Sequence, residues 1–145
     1  MGGQSWIYWV PYQPDINLAL HSLRQREFAA GRYNPVIAFP EFPGTAAASG
    51  PGHSSIEEAL AAANESGTRS ILDMQSIGST PGYGIVTSMS PHRLIELFGT
   101  EHPSRSMIEA NMDFLCDIER GHGVYIVVYA DNHPEQILFA GYSYD

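Results

Sequence analysis

The segment that most restricts the fold is Val124 to Ala130, an almost wholly apolar run followed by the turn residues Asp131 to Pro134 and a strand-like run from Ile137 to Tyr144. A half-exposed strand would alternate apolar and polar residues, so a short unbroken apolar run predicts a strand covered on both faces. The turn residues between the two runs predict a C-terminal β-hairpin.

The remaining chain supplies elements to pack on that hairpin. Trp6 to Val10 is aromatic and β-branched, ends at Pro11 and reads as a first strand. Pro14 and Asp15 open a helix in which Ile16, Leu20, Leu23 and Phe28 recur at roughly helical spacing and Gly31 forms the cap; Arg24, Arg26 and Glu27 fall on its solvent side. Val36 to Phe39 reads as a short strand, and Ser54 with Glu57 forms a capping box for a helix that runs through Ala63 and stops at Gly67. Arg69 to Met74 and Gly84 to Met89 read as strands, separated by a turn at residues 79 to 82. Ser90 and Pro91 start a helix that ends at Gly99. Pro103, with Ser104 or Ser106, starts a longer one through Arg120, with Met107, Phe114, Leu115 and Ile118 as its buried stripe. These elements predict an α+β fold: a mostly antiparallel sheet of about four or five strands, covered by about four helices.

The length of 145 residues suits one globular domain, and 43% hydrophobic against 16% charged residues argues for an ordered core. Residues 40 to 53 are rich in proline, glycine and alanine and read as a mobile insertion, with a functional lid as the alternative. All basic residues are arginine, and the formal net charge is −9. Such a surface repels nucleic acid and anionic membranes and favours a basic protein partner, with the chain as monomer or homodimer. Cys116 is the only cysteine and reads as a small buried hydrophobe; with no disulfide possible, a reducing, cytoplasmic setting is expected. No segment has the apolar length of a membrane span.

Chemical motifs are sparse. His53, His92, His102, His122, His133, Cys116, Asp73 and Asp117 lack metal-ligand spacing, so no metal and no cofactor is implied. His92 lies in the first turn of a helix, where the dipole favours a neutral imidazole base; His53 and Arg32 are further catalytic candidates. Arg32 and Tyr33 suit contacts to an anionic ligand. Gly78, Gly82 and Gly84 lack the spacing of a phosphate loop and read as a turn. Glu109, Asp113 and Asp117 form an acidic ridge on the expected long helix, either a solvated face or a docking surface. Aromatic residues crowd both ends of the chain, and strand periodicity puts Tyr142 and Tyr144 on one face, as core packing or as part of a binding surface.

The segments VPYQPDI, EFAAGRYNPV, SIEEAL, GTRSILDM, LFGTEHPSR and ILFAGYSYD resemble a family of small bacterial proteins with no assigned activity. The resemblance spans most of the chain. It implies a bacterial cytoplasmic origin and carries over no residue roles. Two functions are therefore expected: a protein-binding domain using its acidic, aromatic surface, for example to neutralise a toxin or effector as an immunity protein does, or a small-molecule-binding protein or enzyme with a pocket under the 40–53 loop.

Overall fold

The computed structural model describes residues 5–33, 53–63 and 67–144. The expected strand at 36–39 and almost all of the 40–53 loop lie outside the described residues. Five strands, β1 (Ser5–Pro11), β2 (Ser76–Gly78), β3 (Ile85–Ser88), β4 (Gly123–Ala130) and β5 (His133–Tyr142), form one sheet in the order β1-β5-β4-β3-β2. The fold is α+β, with the C-terminal hairpin in place. Its turn is Asp131-Asn132, both at positive φ, the backbone that a two-residue hairpin loop matched to strand twist requires. β5 therefore begins at His133, earlier than the apolar pattern suggests.

The sheet is mostly but not purely antiparallel: the long pairings β1-β5 and β4-β5 are antiparallel, whereas the short pairings β2-β3 and β3-β4 are parallel. Between β3 and β4 the long connection packs on the sheet and returns the chain to the end from which β3 starts. Between β2 and β3 only residues 79–84 intervene. So short a parallel connection works because β2 spans only about 10 Å, a distance six residues can retrace.

Alternation along β4 and β5 divides the core. Ile137 and Phe139 face one side with Trp6, Val10 and Val86, and there meet Ala19, Leu20 and Leu23 of α1 (Ile16–Ala30) and Ile71 and Met74. Tyr33, Leu72 and the buried residues Ile56 and Ala59 of α2 (Ile56–Ala63) continue that layer. Ile126, Val128, Leu138 and Ala140 face the other side and meet Leu94 of α3 (Pro91–Phe98), Ile108 of α4 (Arg105–Glu109) and Phe114. Helices on both faces explain why the hairpin strands need apolar residues at consecutive positions.

The helix ends follow side-chain caps. Asp15 accepts from Leu18 N–H at 3.0 Å, Ser90 from Arg93 N–H at 3.2 Å and Ser104 from Met107 N–H at 3.3 Å, while Gly31 and Gly99 close their helices in the left-handed conformation. For α2 the capping serine is Ser55, whose hydroxyl accepts from Glu58 N–H, and not Ser54.

Two elements differ in kind from the sequence expectation. Residues 69–74 are not a strand: Arg69 is at φ 56, and Ser70 caps a 3-10 turn at Ile71–Asp73. The long helix through Arg120 is instead α4, a break at Ala110 and a 3-10 turn at Asp113–Asp117. Ile108 and Phe114 are both buried, yet on one continuous helix they would point about 120° apart, so the break lets both reach the core. Asn111 holds it by donating to the Leu97 carbonyl at 2.9 Å. Met107 is consequently exposed, and Cys116 is exposed rather than buried.

Candidate functional site

Three loops meet where β3 and β4 begin and β5 ends. Gly84 N–H donates to the Gly121 carbonyl at 2.9 Å, Gly121 N–H to Tyr142 at 3.0 Å, and Gln75 N–H to Gly84 at 2.7 Å. Gly67, Gly84 and Gly121 all have φ between 73° and 76°, which glycine tolerates best. Space matters as much as φ here. A Cβ on Gly121 would come within 2.4 Å of the Tyr83 ring and 2.7 Å of the Tyr144 ring, and one on Gly67 within 2.6 Å of Tyr144. The Tyr144 ring thus rests against two bare backbones. Tyr83 lies over it at 5.5 Å between ring centroids, and His122 meets Tyr83 edge-on at the same distance. Tyr83 itself is 72% exposed.

Beneath the rings lies Asp73, with none of its surface exposed. Its Oδ1 accepts from Thr68 N–H at 2.7 Å and from the Thr68 hydroxyl at 2.8 Å, which closes the 68–73 turn. Its Oδ2 is buried without a hydrogen-bond partner among the described residues. That atom and the Tyr144 ring edge crowd the same point beside Gly67, at 2.7 and 2.6 Å from where a Cβ would sit, so the two are neighbours. Burial pushes the Asp73 carboxyl up, against hydrogen bonds from Thr68 and Arg69 and the charge of Arg24. Burial, then the charges of Asp73 and Tyr83, push Tyr144 up as well.

The arrangement combines an acid with one spare oxygen, two phenols and an imidazole at a partly open edge. Such a set can accept a hydrogen bond, donate one from the protonated acid, and stack a ligand on the rings. An unpartnered buried carboxylate oxygen costs about 1–3 kcal/mol, a reason to look for what would satisfy it.

Comparison with family models, curated proteins and solved structures found no match. Residue roles therefore rest on geometry alone.

The residues expected from the sequence are scattered. Arg32 is engaged by Glu27 through two hydrogen bonds, at 2.9 and 2.8 Å, and is not an open anion contact. Glu27, expected on the solvent side, is buried. Burial would push its carboxyl up, but hydrogen bonds and charges from Arg32 and Arg26 outweigh that and hold it below the usual range. Tyr33 is buried, and its hydroxyl bonds His53 Nδ1 at 2.9 Å. His92 is exposed at the start of α3, on the opposite face of the sheet from Asp73. Tyr142 ends β5 and Tyr144 lies beyond it, so the two do not share a strand face.

The acidic ridge is also divided. Glu109 is on α4 and pairs with Arg105 at 3.5 Å, whereas Asp113 and Asp117 bound the 3-10 turn and Asp117 pairs with Arg93, which also bonds Glu96. Among the described residues no group of three or more His, Cys, Asp or Glu could hold a metal ion, and no helix is long and apolar enough to cross a membrane.

Asp73, Tyr83 and His122 were not singled out together by the sequence. The available signal is an acid inside the otherwise apolar run Ile71 to Met74, where a carboxylate must be buried.

Proposed function

We propose that this domain binds a small molecule at the Asp73, Tyr83, Tyr144 and His122 end of the sheet. One observation carries the reading: the spare oxygen of fully buried Asp73 lies beside the Tyr144 ring, which belongs to an aromatic cluster whose outer member, Tyr83, is exposed. A carboxylate kept only to close the 68–73 turn needs Oδ1, and that atom is already satisfied by Thr68. The reading that the sequence favours first, a basic protein docking on the acidic surface, draws on exposed Asp113 and on Ile95 and Met107, which are apolar and exposed on α3 and α4. It is weakened there because Arg93 and Arg105 already pair with Glu96, Asp117 and Glu109.

The test is a thermal-shift screen of small molecules against wild type, Asp73→Asn and Tyr83→Ala. A ligand in excess raises the melting temperature by mass action. Compounds that stabilise wild type but neither variant support the assignment. Compounds that stabilise all three equally would place binding elsewhere and remove it.

A further inference from the structure

The ligand class follows from what surrounds that spare oxygen, and the argument rests on the binding reading above. The groups whose contacts join them at the edge are the Tyr83, Tyr144 and His122 rings, the Asp73 carboxyl beside Tyr144, and Glu119 3.8 Å from His122 Nε2, with Arg69 and Arg120 exposed on the adjoining loops. The cation acting on Asp73, Arg24, donates to the Leu72 carbonyl at 3.0 Å, and Arg69 reaches Asp73 through its backbone N–H. An anionic ligand would meet two carboxyl groups, whereas a cation would gain the ring faces and the carboxylate together. The overall charge of −9 draws cations towards the protein as well.

We infer that the site takes an organic ammonium ion, a protonated amine seated against the Tyr83 and Tyr144 rings with an N–H donated to Asp73 Oδ2. A charge-assisted bond of that kind supplies the partner that Oδ2 lacks among the described residues. Reaching Oδ2 requires the Tyr144 ring to move aside. No hydrogen bond from a described residue holds its hydroxyl, so the ring is kept in place by packing on the Gly67 and Gly121 backbones and under Tyr83. A quaternary ammonium has no N–H to offer, so it would keep the ring contacts and lose the carboxylate bond.

The experiment uses the full chain with 13C-labelled tyrosine and histidine rings, titrated with propylammonium, tetramethylammonium, 1-butanol and butyrate at fixed ionic strength. Propylammonium should shift the Tyr83, Tyr144 and His122 signals saturably, with tetramethylammonium weaker. Asp73→Asn should weaken propylammonium about tenfold and tetramethylammonium much less. Should Asp73→Asn fail to fold, exposed Tyr83→Ala should weaken both cations alike. Butanol or butyrate binding at these rings as tightly as propylammonium would overturn the ammonium inference and leave the small-molecule site standing. Ring signals unmoved by all four probes would overturn both.

Discussion

The two faces of the sheet solve burial differently. On the α3 and α4 side, Leu94, Ile108, Phe114, Ile126, Val128, Leu138 and Ala140 form an apolar core, and the charged residues stay at the surface in exposed pairs such as Arg93 with Asp117. On the α1 side the core also holds Glu27, Thr68, Ser70 and Asp73. Among the described residues, the buried side-chain polar atoms without a partner, Trp6 Nε1, Arg24 Nε and Asp73 Oδ2, all belong to this side. Each costs stability that an apolar residue would not, about 1–3 kcal/mol by the usual scale. The first face follows the rules that maximise stability, and the second departs from them where the candidate site lies.

The largest effect expected is on the apolar face. Phe114→Ala removes a fully buried ring and should cost about 3–5 kcal/mol in urea unfolding, with the Tyr83 and Tyr144 ring signals of the folded protein unchanged. A shift in those signals would mean that the faces are coupled.

On the other face, the two buried acids should respond to pH with opposite signs. Glu27 has a folded pKa below its unfolded one, so its contribution is present above the unfolded value of about 4.3 and is lost as pH falls through the folded pKa. Asp73 has a folded pKa above its unfolded one, so the folded state binds the proton more tightly. Its neutral form is favourable, and stability is lost as pH rises from about 3.9 through the folded value. As the pH falls, the Asp73 part of the stability should therefore return while the Glu27 part is lost. In Asp73→Asn the recovery should vanish, with stability at neutral pH equal to wild type or higher. A neutral-pH loss of about 1–3 kcal/mol would instead make the Asp73 carboxylate a structural anchor of the 68–73 turn.

The smallest effect returns to the apolar side. Arg93 bonds two carboxylates, yet Glu96 and Asp117 are more than half exposed, and Arg93→Ala should change stability by less than about 1 kcal/mol. Denaturation at low and high salt checks this, because the difference should shrink as salt screens the pairs.

Local chemistry made much of the fold legible. Ser90, Pro91 and Gly99 bound α3 where the capping rules put it, and the apolar run at 124–130 with Asp131-Asn132 defined the hairpin. The same rules failed at 69–74. There Ile71, Leu72 and Met74 suggest a strand, but Thr68, Ser70 and Asp73 bond one another and fold the segment into a turn. They failed again at 103–120, where apolar residues at workable spacing gave no sign that the core needs a break at Ala110. The acidic ridge and the Arg32 contact failed because charge partners such as Arg105 and Glu27 are chosen in space.

The sequence by itself determined the α+β class, the terminal hairpin, the ends of α1 and α3 and the acidic character, because each depends on residues close in the chain or on composition. The tertiary structure alone decided the parallel pairing of β2, β3 and β4, the burial of Glu27, and the meeting of Asp73, Tyr83, His122 and Tyr144. Those features depend on which distant segments share a sheet edge and on whether a carboxylate finds a donor there. Neither is encoded in any local spacing.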